Sequence, residues 1–78
     1  MERQFIVDDL WLASYLSFRG VSPELENRNG RVVFLFPQSD TLYRLISAFN
    51  SNDAIPLSEY IGTYKALKVK MFGIRAAR

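Results

Sequence analysis

The chain has 78 residues, is 49% hydrophobic and 14% aromatic, carries a net charge of +2, and contains neither cysteine nor histidine. Such a chain holds enough core-forming residues to fold and is too short for a second core, so one small domain is expected. The missing residue types exclude disulfides, thiolate and imidazole metal ligands, Cys and His nucleophiles, and proton shuttling through histidine.

Near the start, Asp8 and Asp9 interrupt the apolar residues before a signal-type segment forms, and the uncharged run 10–18 is far below the ~20 residues that span a bilayer. No membrane span and a cytoplasmic location are therefore expected. Asp8 suits the N-cap of a first helix over 8–19, with Asp9 adding negative charge to its first turn. Trp11, Leu12, Tyr15, Leu16 and Phe18 share one broad face, Ser14 and Ser17 lie opposite, and Gly20 ends the helix.

Asn29-Gly30 is a strong type I′ turn signal between residues 21–28 and 31–36. A two-residue loop there sets Arg28 against Arg31, Asn27 against Val32, Glu26 against Val33, Leu25 against Phe34 and Glu24 against Leu35. Pro23, Leu25, Val32, Phe34 and Phe36 then share one face, and Glu24, Glu26, Val33 and Leu35 the other. Pro23 cannot donate to a ladder, so the first of these strands is an edge. Val33 and Leu35 make the second strand apolar on both faces. A third strand from residues 4–7, a packed helix, or a second copy of the chain would each cover them, so Val33 and Leu35 are the candidate self-association residues.

Pro37 ends the strand, and Ser39 or Asp40 caps a second helix whose stripe is Leu42, Leu45, Ile46 and Phe49, closed by the loop residues 50–53. A third helix is expected over 56–72, with Pro56 in its first turn, Gly73 as terminator and 74–78 as a tail. Leu57, Ile61, Tyr64 and Met71 form its apolar stripe, which puts Lys68 near the stripe's centre, where a lysine must snorkel, pair with an acid or face a partner. The expected core is Leu12, Leu16, Leu25, Phe34, Phe36, Leu45, Ile46, Phe49, Ile61, Tyr64 and Leu67.

The mild net charge conceals a division. Residues 1–59 hold five arginines against all eight acids, a net −3, whereas 60–78 hold five cations and no acid, a net +5. Lys65, Lys68, Lys70 and Arg75, with Tyr64, are accordingly the candidate binding surface. The plainer reading is a solvated helix end whose cations oppose the helix dipole. The functional one is a surface for nucleic acid, an acidic protein or a membrane face. Catalysis has little to work with: a serine nucleophile lacks a histidine base, a Ser58–Lys65 or Ser58–Lys68 dyad rests on unspecific spacing, and the four glycines match no phosphate-binding fingerprint. Glu24 and Glu26 on one strand face read as solvated rather than as a cation site. No catalytic residue, metal site or cofactor is expected.

Three stretches resemble a known pattern: the opening from Phe5 through Asp8-Asp9-Leu10-Trp11-Leu12-Ala13 to Leu16 and Gly20, the Asn29-Gly30-Arg31-Val32-Val33-Phe34 hairpin, and the Pro56…Tyr60…Lys65-x-Leu67-Lys68 helix. Together, over roughly 5–72, they are similar to a family of small bacterial and phage-associated proteins known only as a domain of unknown function. Ile55 stands where that pattern often has Asp before the proline, which leaves the start of the third helix less defined. The resemblance implies that Lys65 and Lys68 are features of the type; it implies no activity. The sequence thus predicts an α+β domain of helix, β-hairpin, with or without an extra N-terminal strand, and two helices packed on one sheet face. The expected function is a non-enzymatic interaction module, with Val33 and Leu35 as its candidate self-association residues should the chain not cover them itself, and with nucleic-acid binding by the basic helix as the alternative.

Overall fold

In the computed structural model, which describes residues 3–76, the elements run β1 (Gln4–Val7), α1 (Leu10–Phe18), β2 (Glu24–Arg28), β3 (Arg31–Pro37), α2 (Asp40–Asn50) and α3 (Leu57–Ala76). The three strands form an antiparallel sheet in the order β1-β3-β2, and the helices pack on it: an α+β fold. The turn chemistry acts as expected. Asn29 and Gly30 both take positive φ, 56° and 87°, the type I′ requirement, and Asn27 Oδ1 accepts from the Gly30 N–H at 2.9 Å. The β2–β3 register follows from Arg28 opposite Arg31 through Glu24 opposite Leu35. On the other side of β3, Phe5 faces Phe36 and Val7 faces Phe34.

This third strand explains the doubly apolar β3. Val32 to Phe36 are buried without interruption, Val33 at 6% and Leu35 at 7% exposed within the single chain. Phe34 and Phe36 face the helices, joining Val7, Leu16, Leu42, Tyr60 and Leu67 in the core. Val33 and Leu35 face the opposite way, with Ile6 and Glu24 flanking Leu35 and Glu26 beside Val33. One polar strap reaches across β3, Gln4 Nε2 donating to Glu24 Oε1 at 3.4 Å, and Arg31 at the start of β3 lies 3.5 Å from Asp8 just past β1. The chain therefore covers Val33 and Leu35 with its own edge strands.

Helix ends are set by local chemistry, and here two expectations need correction. Asp9, not Asp8, caps α1: its backbone is extended and its Oδ1 accepts from Trp11 N at 2.9 Å, while Asp8 turns to Arg31. At the other end Gly20 takes φ 101°, and the Gly20 and Val21 N–H groups donate to Ser17 and Leu16 carbonyls, a Schellman closure. Ser39 caps α2 by accepting from Leu42 N at 3.0 Å. Asn52, at φ 62°, closes that helix in the same way, its N–H donating to Phe49 and that of Asp53 to Ala48. The second correction concerns α3, which runs through Gly73 to Ala76. Gly73 does not enter the positive-φ region, so it is a helical residue rather than a terminator. Of the expected tail, 74–76 are helical and 77–78 lie outside the described residues.

The helix layer holds the remaining differences. α1 packs against α2, α3 and β1, so four consecutive residues, Ala13 to Leu16, are buried and no polar side is left in mid-helix. Ser14, expected opposite the core, is 0% exposed, and among the described residues its hydroxyl has no hydrogen-bond partner. α3 sits rotated by roughly 50° from the expected phase. Tyr60 and Leu67 are its buried residues, with Tyr64, Met71 and Ile74 half-buried, whereas Leu57 and Ile61 are exposed. Tyr60 decides the phase, because its ring fills the space beside α1 and its hydroxyl donates to the Trp11 carbonyl at 2.8 Å. Lys68 consequently leaves the centre of the stripe for an exposed flank, and it needs no buried partner.

A further tie was not visible in the sequence. Asp53 Oδ2, in the α2–α3 loop, accepts from the Tyr15 hydroxyl and from Arg19 Nη2, both at 2.6 Å. Those two bonds hold the Asp53 carboxyl below the usual carboxylate range, while burial first, and then Asp53, push the Tyr15 phenol up.

Two measurements test these assignments. Gly30→Ala is expected to lose about 1–2 kcal/mol by forcing a side chain into the left-handed region, whereas Gly73→Ala gains roughly 0.5–1 kcal/mol as a helix-interior replacement with open space around the new Cβ. Urea unfolding measures both, and a loss on Gly73→Ala would return Gly73 to the role of terminator. For Asp53 the folded pKa lies below the unfolded one, so its stabilisation is full above the unfolded value of about 4 and is lost as pH falls through the folded value. Asp53→Asn is expected to flatten that acidic limb in urea titrations between pH 2 and 7.

Candidate functional site

The exposed side of α3, with Trp11 from α1, is the surface where aromatic and cationic groups converge. Trp11 leaves the N-cap turn of α1 at 55% exposure and stacks on Tyr64, with ring centroids 4.5 Å apart and planes 14° from parallel. It also lies 6.4 Å from the Tyr60 ring. Because side chains four apart on a helix are neighbours, Tyr64, Lys68 and Phe72 follow one another along α3. Lys68 Nζ sits 5.8 Å from the Tyr64 ring centroid and 5.9 Å from that of Phe72, and the Arg75 guanidinium is 5.9 Å from the Phe72 ring. The result is a ladder: indole, phenol, ammonium, phenyl, guanidinium. Phe72 is 48% exposed. Burial, and after it the nearby Asp9 carboxylate, raise the Tyr60 phenol, which keeps its proton for the bond to the Trp11 carbonyl.

The sequence-derived candidates divide on this frame. Tyr64, Lys65, Lys68 and Arg75 fall on one flank, each of the cations exposed. Lys70 is about 200° around the helix from Lys68 and belongs to the opposite flank. Trp11, which the spacing places on the broad apolar face of α1 but outside the expected core, is half open. The available signal was that Trp11, Leu12, Tyr15, Leu16 and Phe18 are more large residues than a nine-residue helix hides on one side. Ser58 and Lys65 are separated by about 10 Å of helix rise, and Ser58 and Lys68 by more. Among the described residues no three acids cluster as metal ligands.

Two depressions adjoin the helices. One, of about 370 Å³, lies over the Tyr15–Asp53 bond and is walled by Phe49, Asn52, Ile55 and Tyr60. The other, of about 560 Å³, lies where the hairpin tip meets the end of α3, between Asn27, Asn29, Gly30 and Arg75. No helix among the described residues is long and apolar enough to cross a membrane.

Fold and surface together define a small α+β domain with helices against a three-stranded antiparallel sheet and a last helix that carries no acid after Glu59. The family model of a domain of unknown function, DUF5659, matches residues 2–73, and the chain belongs to that family. No curated protein and no solved structure matches the chain.

The Trp11–Tyr60 tie is open to measurement. Tyr60→Phe keeps the ring and leaves the Trp11 carbonyl without its donor, so a loss of about 1 kcal/mol is expected in urea unfolding. No change in stability would mean the bond is not formed in solution.

Proposed function

We propose that this domain is a non-enzymatic interaction module that engages an anionic partner through the α1–α3 face. The observation that carries this reading is the exposed ladder of Trp11, Tyr64, Lys68, Phe72 and Arg75. Its α3 members lie in a segment with no acidic residue from position 60 onward. Exposed aromatic rings interleaved with cations combine apolar contact area with attraction for negative charge, the pairing found at the centres of binding surfaces. Cations serving only the helix dipole belong to the last turn, which holds Arg75; Lys65 and Lys68 lie further back in the helix.

Nucleic-acid binding is the second reading, favoured by the open rings of Trp11 and Phe72 beside Lys68 and Arg75, an arrangement suited to base stacking with phosphate contacts. Self-association through Val33 and Leu35 has less to support it, since both side chains are already covered by the chain's own strands.

Trp11 is the sole tryptophan, so its fluorescence reports on the surface directly. Titration with polyglutamate and with a single-stranded dT oligonucleotide at low salt is expected to perturb that emission for at least one probe. Lys65→Glu/Lys68→Glu is expected to weaken the response more than tenfold while leaving the urea midpoint within about 0.5 kcal/mol of the parent. Emission unchanged by both probes would overturn the reading.

A further inference from the structure

α3 carries more apolar surface than its own domain covers. Its inner row, Tyr60, Tyr64, Leu67, Met71 and Ile74, faces the domain. At 3.6 residues per turn, Leu57, Ile61 and Phe72 form a second row on the adjoining flank, with Val69 beyond it. These four are 66%, 38%, 48% and 70% exposed. A helix with apolar residues on two sides is normally covered on both, and the described residues, through α1, β2 and β3, cover only the inner one. Between the outer apolar positions stand Lys65 and Lys68, with Arg75 at the far end. Gly62 and Gly73 add no bulk behind the row, and nothing lies within 4 Å of where their Cβ atoms would be.

Charge and side-chain chemistry restrict what can cover such a row. A second copy laid α3 to α3 would bring two sets of Lys65, Lys68 and Arg75 together, a like-charge contact. A nucleic acid would find phosphate partners but no use for Leu57, Ile61 or Val69, which offer neither a ring to stack on nor a donor. An amphipathic helix with carboxylates along its borders satisfies both parts of the surface. From Leu57 to Phe72 the row is about 22 Å long, four turns of such a helix.

We infer that the outer row of α3 receives an acidic amphipathic helix of another protein, its apolar face on Leu57, Ile61 and Phe72 and its carboxylates toward Lys65, Lys68 and Arg75. The inference rests on the interaction-module reading and names the partner's chemistry. It separates two contributions: the apolar row sets register and affinity, and the cations set sign and salt dependence.

The test uses the full chain, Trp11 fluorescence and sedimentation, with three probes. These are a 16-residue Leu/Glu peptide with leucines at helical i, i+3, i+4, i+7 spacing, a scrambled peptide of the same composition, and a dT oligonucleotide of 16 nucleotides. The amphipathic peptide is expected to bind at least tenfold more tightly than the scrambled one and to gain helicity, with Ile61→Ser costing tenfold or more in affinity. Ile61 is an exposed position, and an unchanged urea midpoint for that variant separates lost docking from lost folding. Equal binding of the two peptides would overturn the apolar row as a docking site while leaving an anion-binding surface. Preference for the oligonucleotide with steep salt dependence would do the same and identify nucleic acid as the partner class. Concentration-dependent dimerisation abolished by Ile61→Ser would make a second copy the occupant. Silence of all three probes would overturn both the inference and the reading beneath it.

Discussion

Everything in this domain is built against β3. Its five central residues, Val32 to Phe36, are buried without a polar interruption, and a strand can be apolar on both faces only if something lies on each side. The hairpin turn brings β2 to one edge and the N-terminal strand occupies the other, so β3 exposes no backbone edge of its own. Phe34 and Phe36 then present a flat apolar face on which the helices gather, while Val33 and Leu35 are sealed by side chains from the flanking strands. In a chain this short, which buries only about 60% of its unfolded surface, no second core exists to compensate for a misplaced β3.

The helix layer follows from that constraint. α1 is short and hemmed in by α2, α3 and β1, which buries even a serine hydroxyl at Ser14. Two polar ties fix its neighbours at opposite ends: the Tyr60 hydroxyl on the Trp11 carbonyl, and the Tyr15–Asp53–Arg19 cluster. Each links segments more than 30 residues apart in the chain and anchors an aromatic residue by its polar tip. With Tyr60 held inward, the outer side of α3 is left to Leu57, Ile61, Lys65, Lys68 and Phe72. The candidate surface is thus a consequence of how the core closes.

The parts legible in the sequence are those governed by neighbours in the chain. Asn29-Gly30 specifies the turn, and the turn specifies the β2–β3 register residue for residue. Ser39 and Gly20 mark helix ends through bonds to groups within a few residues. The acid-free segment and its cluster of cations were equally plain, because charge composition needs no geometry. Less legible was the phase of α3: with apolar residues on two sides, periodicity points between them, and Lys68 falls at the false centre. Lys70 was grouped with the other lysines by proximity in sequence, although the helix turns it away from them. Asp53 looked like loop chemistry alone because its partners, Tyr15 and Arg19, are a helix and a sheet away in the chain.

By itself the sequence determined the fold class, the hairpin and its register, the presence of three helices, and a basic last helix on an acidic body, since all of these arise from local backbone preferences, burial patterns and composition. Only the tertiary structure decided which side of α3 faces inward, that Trp11 joins Tyr64 at the surface, and that Val33 and Leu35 are covered within the chain. Those outcomes depend on competition among distant side chains for one small core. Tyr60, with a large ring to bury and a hydroxyl that finds the Trp11 carbonyl, wins the inward place from Ile61 and Leu57.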